Sequence, residues 1–277
     1  MGIKTRIKNY LLRRLGPFPV RYVKADVTYI SEAAKLRGKR VVITGGGRGL
    51  GRAMAARFAA EGAEVLIAGR NQAMLKEQAE ELGCQYEVLD IRLSESRETF
   101  WKNVYEKMGE VDILVNNAGV SLHELSMLTV SEAQYDEQFD TNLKGAYFLT
   151  QAFIEHHVNS NKAASSILFV SSERGQTVDT LPYGLTKAAI NSLVQGLAYR
   201  YARSGIRVNG IAPGVTASDM TGFKVDGNLD CSYNITERVY LPEEVAEIAC
   251  FLVSDAARIL NGQILVCNEG KTINIVR

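Results

Sequence analysis

The stretch Thr44-Gly-Gly-Gly-Arg-Gly-Leu-Gly51 limits the architectures open to this chain more than any other. An apolar run, Val41-Val42-Ile43, precedes it, and Met54 and Phe58 follow one helical turn apart, so the segment reads as a strand, a glycine turn and a helix start. A side chain at Gly45, Gly49 or Gly51 would keep the backbone from turning tightly, from approaching a pyrophosphate, or from letting the helix close on the strand. The N–H groups that open such a helix suit an anion. Alone, the turn is also compatible with an ordinary strand-to-helix loop, so the rest of the chain must decide.

From residue 39 onward the apolar pattern alternates between strand and helix. Strands are expected over 40–44, 64–68, 85–89, 111–115, 166–170, 207–211 and 263–266. Helices are expected over 52–61, 72–82, 95–108, 131–159, 183–203 and 242–253, with a polar excursion over 215–240. This alternation predicts an α/β fold, a doubly wound, seven-stranded parallel sheet with helices on both faces. No linker divides the 277 residues, so a single domain over 38–277 is expected behind an N-terminal extension over 1–37. In such sheets a ligand sits beyond the carboxyl ends of the strands, and the residues just after each strand carry the chemistry.

Composition removes several alternatives. Cys84, Cys231, Cys250 and Cys267 form no C-x-x-C pair, which suits a reducing, cytoplasmic setting rather than a zinc site or a disulfide framework. His123, His156 and His157 lack metal-ligand spacing, so no metal is expected. Seven of the 32 cations and none of the acids fall in residues 1–25, which divides the net charge of +1 into +7 and −6. A body of that balance has no general reason to bind nucleic acid. No apolar run reaches membrane-spanning length, and the N-terminus has neither a signal-peptide core nor a myristoylation pattern, since Arg6 stands where Ser or Thr is required. The basic arm also carries Ile3, Ile7, Tyr10 and Leu11 on one helical face, interrupted by Lys4 and Arg14. Packing across the acidic body or a neighbouring subunit is expected of it, in preference to an anionic membrane surface.

Gly69-Arg70 follows the second strand, where an acid would hold the adenosine ribose hydroxyls of NAD and a cation would serve a 2′-phosphate. With Arg48 in the glycine turn as a second cation, NADP(H) is favoured and NAD(H) remains possible. Asp90-Ile91 follows the third strand and can present a carboxylate to an adenine amino group. Asn116-Asn117-Ala118-Gly119 follows the fourth and allows close backbone approach to a ribose. Tyr183 and Lys187 lie one turn apart on a helix, where the ammonium is expected to lower the phenol's pKa and make it a usable acid or base. Such a pair is also commonplace on helices without any function.

Taken in order, the glycine turn, Asp90, Asn116 to Gly119, Asn142, Ser172, Tyr183 with Lys187, and Pro213-Gly214 resemble the short-chain dehydrogenase/reductase family, with 3-oxoacyl-carrier-protein reductase-like members among the nearest in pattern. The resemblance spans about residues 36–272 and includes the family's T-G-x-x-x-G-x-G pattern at Thr44, Gly45, Gly49 and Gly51. It implies a Rossmann fold and an oxidoreductase interconverting a carbonyl and a secondary alcohol. The implied catalytic set is Asn142, Ser172, Tyr183 and Lys187, with Tyr183 as proton donor, Ser172 polarising the carbonyl, Lys187 holding the nicotinamide ribose and Asn142 positioning a water. The implied cofactor contacts are Gly45, Gly47, Arg48, Gly49, Leu50, Gly51, Arg70, Asp90, Ile91, Asn117, Gly119, Tyr183, Lys187, Pro213, Thr216 and Ser218.

Three departures accompany the resemblance. The chain between Ser172 and Tyr183 is about two residues shorter than usual, Asn268-Glu269-Gly270 replaces an Asp-Gly-Gly turn, and the basic arm has no counterpart in a minimal member. A small-molecule carbonyl or alcohol substrate would be gripped by residues 121–128, 176–182 and the excursion after Gly214, which reads as a lid. No cationic cluster in these segments singles out an acidic or carrier-bound substrate. The resemblance also implies a homo-dimer or homo-tetramer through the long helices over 131–159 and 183–203. The competing reading, from another class, is a catalytically silent nucleotide-binding redox sensor or scaffold.

Overall fold

The computed structural model describes residues 34–273. The basic arm, and with it the expectation that it packs on the body, lies outside the described residues. Seven strands form one wholly parallel sheet in the order β3-β2-β1-β4-β5-β6-β7. They are β1 (Arg40–Thr44), β2 (Glu64–Gly69), β3 (Gln85–Val88), β4 (Ile113–Asn116), β5 (Ser165–Val170), β6 (Ile206–Pro213) and β7 (Ile264–Cys267). The helices are α1 (Gly49–Ala60), α2 (Gln72–Leu82), α3 (Ser94–Met108), α4 (Glu132–Phe139), α5 (Ala146–Asn159), α6 (Pro182–Tyr201) and α7 (Pro242–Val253). Winding proceeds outward from β1 to β3, then reverses through β4 to β7, which opens a crevice beyond the carboxyl ends of β1 and β4.

The period of two along each strand divides the core. Val41, Ile43, Ile113 and Val115 face α1, α2 and α7, through Met54, Phe58, Leu75 and Val245. Val42, Leu114, Ile167 and Val208 face α3, α5 and α6, through Phe100, Trp101, Phe153 and Val194. Strands buried on both faces read as continuous apolar runs, which is why they stand out in the sequence.

The helix expected over 131–159 is interrupted. Ser131 and Gln134 cap α4 reciprocally, but Asp140–Gly145 widens into a π-helical turn before α5 continues. Gly145 is forced there, since a Cβ would lie 2.6 Å from the Ile91 carbonyl oxygen. The excursion over 215–240 has its own small core of Ala217, Cys231 and Val239, closed by pairings of Thr216 with Tyr240 and Asp230 with Arg238.

Glu61, at the end of α1, fixes where the chain enters the domain. Its buried carboxylate accepts the Lys35 backbone N–H at 2.9 Å and the Lys35 ammonium at 3.0 Å, and pairs with Arg57 at 2.5 Å. The Lys35 backbone bond, with the Lys35 and Arg57 side chains, holds the carboxyl at about 2, against burial, from the usual 4.5. The unfolded chain therefore takes up a proton between pH 4.5 and 2 that the folded one refuses, so this contribution is complete above pH 4.5 and lost as pH falls through 2. Glu61→Gln should lower the melting temperature by roughly 2–8 °C at pH 7. In urea or thermal melts its deficit against wild type should shrink steadily below pH 4.5; a deficit independent of pH would refute the assignment.

Candidate active site

The crevice begins at the glycine turn, where β1 and α1 approach more closely than any side chain allows. A Cβ on Gly51 would collide with the Gly45 carbonyl oxygen, and Gly45 and Gly49 adopt φ of 65° and 51°. The end of β4 holds the turn in place. Thr44 Oγ1 accepts the backbone N–H groups of Asn117 and Ala118, both at 3.0 Å, while Asn117 Nδ2 donates to the carbonyls of Thr44 at 2.9 Å and Gly45 at 3.1 Å. Asn117 therefore spends its side chain on the turn.

The resulting cleft encloses about 880 Å³. Gly45, Gly47, Arg48, Gly49, Leu50, Gly51, Arg70, Asp90, Ile91, Asn117, Gly119, Ser172, Tyr183, Lys187, Pro213, Thr216 and Ser218 all line it. Asn142 alone of the expected residues stands behind the wall. Arg70 is exposed at the rim and has no acidic partner within ion-pair distance among the described residues, whereas Arg48 pairs with Asp219 of the excursion at 3.0 Å. Asp90 lines the cleft with its carboxylate gripped by Arg92 through Nε at 2.9 Å and Nη2 at 2.7 Å. That hydrogen bonding holds the Asp90 carboxyl below its usual range, and Arg70 adds to the effect.

Ser172 ends the segment after β5, and its Oγ accepts the Arg174 backbone N–H at 3.2 Å, which leaves its proton to donate into the cleft. Pro182 at the first position of α6 starts the helix that carries Tyr183 and Lys187. Lys187 is buried, donates to the Val170 carbonyl at 2.9 Å, and places its Nζ 5.5 Å from the centre of the Tyr183 ring. Burial drives the Lys187 ammonium down to about 8. The expected lowering of Tyr183 is not what the structure gives. Burial pushes the phenol up, opposed by hydrogen bonding to Ser172 and by the charge of Arg174, while Glu173 pushes it further up. Desolvation outweighs the local attraction because it acts on the whole phenolate charge.

Asn142 lies in the π-helical turn. Its Oδ1 accepts the Val120 backbone N–H at 2.8 Å, and its Nδ2 donates to the Val120 carbonyl at 2.9 Å and to Thr186 Oγ1 at 3.2 Å. Both amide hydrogens are spent on protein acceptors, so a water positioned by Asn142 would be held as a donor, as by the second lone pair of Oδ1. A Cβ on Gly119 would lie 3.3 Å from Asn142 Oδ1 and 3.6 Å from Lys187 Nζ, which joins these residues in one wall. Thr216 Oγ1 donates to the Gly214 carbonyl, and Ser218 Oγ lies 3.3 Å from Thr221 Oγ1.

Sequence reasoning missed other residues of the cleft. Arg174 pairs with Asp179, Glu173 with Lys271 at 2.7 Å, and His123 Nε2 meets the Met220 carbonyl at 2.7 Å. These partners are joined by loop geometry, and no spacing rule announces them. Among the described residues no group of His, Cys, Asp and Glu could hold a metal ion, and no helix is long and apolar enough to cross a membrane.

A parallel sheet with a glycine-lined crevice at its switch point, and a tyrosine and lysine one turn apart on its wall, defines a dinucleotide-dependent oxidoreductase. The comparisons narrow the class. A family model described as "Enoyl-(Acyl carrier protein) reductase" matches residues 45–272. Gluconate 5-dehydrogenase of Gluconobacter oxydans is 32% identical over 250 residues, spanning 87% of this chain and 97% of that protein. The 3-oxoacyl-acyl-carrier-protein reductase FabG of Aquifex aeolicus is 31% identical over 249 residues, spanning 85% and 98%. The crystal structure of a 3-ketoacyl-acyl-carrier-protein reductase from Brucella melitensis complexed with NADH superposes with a TM-score of 0.79 at 29% identity, over 86% of this chain and all of that one. The chain belongs to the short-chain dehydrogenase/reductase family and is an NAD(P)-dependent oxidoreductase.

The glycine turn yields a paired prediction. Gly51→Ala forces a methyl group onto the Gly45 carbonyl and should cost several kcal/mol or abolish folding. Gly47→Ala meets only Leu75 and Met74 side chains at 3.4–3.5 Å, an ordinary contact, and should change stability by less than about 1 kcal/mol. Denaturant melts of both variants check this; equal losses would show that the crossing is not the constraint.

Proposed function

We propose that the protein is an NADP(H)-dependent oxidoreductase that interconverts a small-molecule carbonyl and a secondary alcohol, with Tyr183 as general acid and base. The observation that carries this reading is the meeting of Ser172, Tyr183 and Lys187 on one wall of a cleft whose far rim presents Arg48 and Arg70. The cradle fits a dinucleotide, because the absence of side chains at Gly45 and Gly51 lets the turn close on itself and on the end of β4, so that the N–H groups opening α1 face the cleft where a pyrophosphate would sit.

A nicotinamide nucleotide bound in this cleft supplies or takes up the hydride. In the reductive direction Tyr183 gives its hydroxyl proton to the carbonyl oxygen, and Ser172 donates a hydrogen bond to that oxygen as its negative charge grows. Lys187 holds the nicotinamide ribose, and its charge steadies Tyr183 as the phenolate forms. Asn142 serves as a brace, pinning Val120 against Thr186, next to Lys187. Arg48 and Arg70 hold the 2′-phosphate; Arg48 exchanges Asp219 for it. Arg92 orients the Asp90 carboxylate, whose remaining lone pairs can accept an adenine amino group, with Ile91 beside it.

We further assign the protein to the cytoplasm, a compartment that suits four free thiols. Self-association fits the half-exposed Tyr147 and Phe148 of α5, beside a groove of about 400 Å³ between α5 and α6. A silent nucleotide-binding scaffold would have no use for the Ser172, Tyr183 and Lys187 arrangement.

Two measurements test the reading. Tyr183→Phe should abolish turnover in a screen of ketones and alcohols while keeping cofactor binding; wild-type protein that turns over nothing the variant fails to turn over would refute the enzyme mechanism. Arg48→Ala and Arg70→Ala should each weaken NADPH binding by about 1.5–3 kcal/mol and leave NADH binding nearly unchanged. Equal losses for both cofactors in a fluorescence titration would remove the 2′-phosphate assignment.

A further inference from the structure

The cleft wall beside Ser172 carries a cation whose counter-ion is turned inward. Arg174 lines the cleft, and its side chain is 49% exposed, whereas that of its partner Asp179 is 6% exposed. Arg174 Nε donates to Asp179 Oδ2 at 2.7 Å, and Nη2 reaches the same oxygen at 2.5 Å. The other oxygen of Asp179 accepts the backbone N–H groups of Thr180 at 2.8 Å and Leu181 at 3.0 Å, the two residues that lead into α6. Asp179 therefore sits against the positive end of a 20-residue helix as well as against Arg174. It is wedged over Gly184, where any Cβ would collide with its carboxylate.

This arrangement divides the charges unequally. Two amides and the helix end offset much of the Asp179 charge, so part of the guanidinium charge is left uncompensated on the exposed side. Arg174 Nη1 has no hydrogen-bond partner among the described residues. The neighbouring acids are committed elsewhere: Glu173 to Lys271 at 2.7 Å and Asn268 at 3.0 Å, and Asp219 to Arg48 at 3.0 Å. Side-chain entropy has also been removed in advance, because two bonds to Asp179 fix the plane of the guanidinium. Its own backbone N–H fixes the Ser172 hydroxyl, so the cation and the carbonyl-polarising group keep a set relation two residues apart.

We propose that Arg174 anchors a carboxylate of the substrate, and that the protein acts on short oxo acids and the corresponding hydroxy acids. The inference rests on the carbonyl-reductase reading above and deepens it. The carboxylate takes no part in the transfer: hydride reaches the carbonyl carbon, the Tyr183 proton reaches its oxygen, and the anion is held by Arg174 throughout. Nη1 offers two N–H donors to one end of a small anion, and charge-assisted bonds of this kind survive at a partly exposed rim better than neutral ones.

The test is a panel of short oxocarboxylic acids, each assayed beside its methyl ester with NADPH. Wild-type protein should favour at least one acid over its ester by about 10- to 100-fold in kcat/KM, chiefly through KM. Arg174→Gln should bring that ratio close to one, and Arg174→Lys should restore part of it by retaining the charge. Melting temperature and NADPH affinity establish that each variant is folded. Reduction of esters as efficiently as acids by the wild type, or an equal fall for both in Arg174→Gln, would overturn the anchor and leave the reductase reading intact. Absence of turnover across the panel by protein that reduces other ketones would overturn the anchor alone, and absence of turnover in the ketone and alcohol screen as well would overturn both.

Discussion

The crossing of Gly51 over the Gly45 carbonyl is the contact on which the rest of the structure depends. It lets α1 start directly beneath the end of β1, so the first N–H groups of the helix open into the crevice. The same crossing is stitched to β4 by Thr44 and Asn117, and β4 leads into the Gly119 and Val120 segment that Asn142 braces. Thus the proposed cofactor cradle and the proposed catalytic wall are parts of one hydrogen-bonded unit. A side chain at Gly51 would move both.

The second constraint is electrostatic. Lys187 is almost wholly enclosed and keeps a single hydrogen bond, to the Val170 carbonyl, yet at about 8 its ammonium still holds its proton near neutral pH. Burial pushes Tyr183 the other way, so the protonated form of both groups is favoured at neutral pH. On the proposed chemistry the site is loaded as an acid, and the phenolate must be stabilised as it forms. Ser172 by hydrogen bonding and Arg174 by charge already act in that direction, with Glu173 opposing them. The balance is set by the loop after β5 as much as by the helix that carries the tyrosine.

Most of the fold is legible in the sequence because strands buried on both faces leave uninterrupted apolar runs. The expected strand over 40–44 and the helices over 72–82 and 242–253 coincide with the observed elements, while other ends move by one to three residues. The π-helical turn is not legible. Asp140-Thr-Asn-Leu-Lys-Gly145 has ordinary helical spacing, and the carbonyl that requires a glycine at its end, that of Ile91, is about fifty residues away in the chain. Local motifs carried the cofactor cradle and the Tyr183–Lys187 pair, since each is a fixed spacing on one element. Charge partners were invisible for the opposite reason: Arg48 with Asp219 and Glu173 with Lys271 are brought together only by the sheet. The Arg92 grip on the Asp90 carboxylate was likewise not read from the sequence, although the two residues are only two apart.

These interactions differ in how much free energy holds them, and the difference follows their position. The glycine crossing, the Asn142 brace and the Lys187 burial are enclosed by two hydrophobic cores and yield only with the fold. The excursion over 215–240 is attached across the cleft by an exposed Arg48–Asp219 pair and a single bond from His123 to the Met220 carbonyl. An exposed ion pair is worth under about 1 kcal/mol, and a neutral hydrogen bond at the surface contributes little more. On the proposed NADP(H) reading a 2′-phosphate, carrying more charge than Asp219, would compete for Arg48 on favourable terms, so release of this edge would not oppose cofactor binding. The excursion meanwhile keeps its own small core of Ala217, Cys231 and Val239. Behind the cleft it stays tied to the body by Arg238 with Glu244 and by Thr236 and Tyr240 on Glu269, so its cleft edge can lift when the two contacts there break while its base stays fixed.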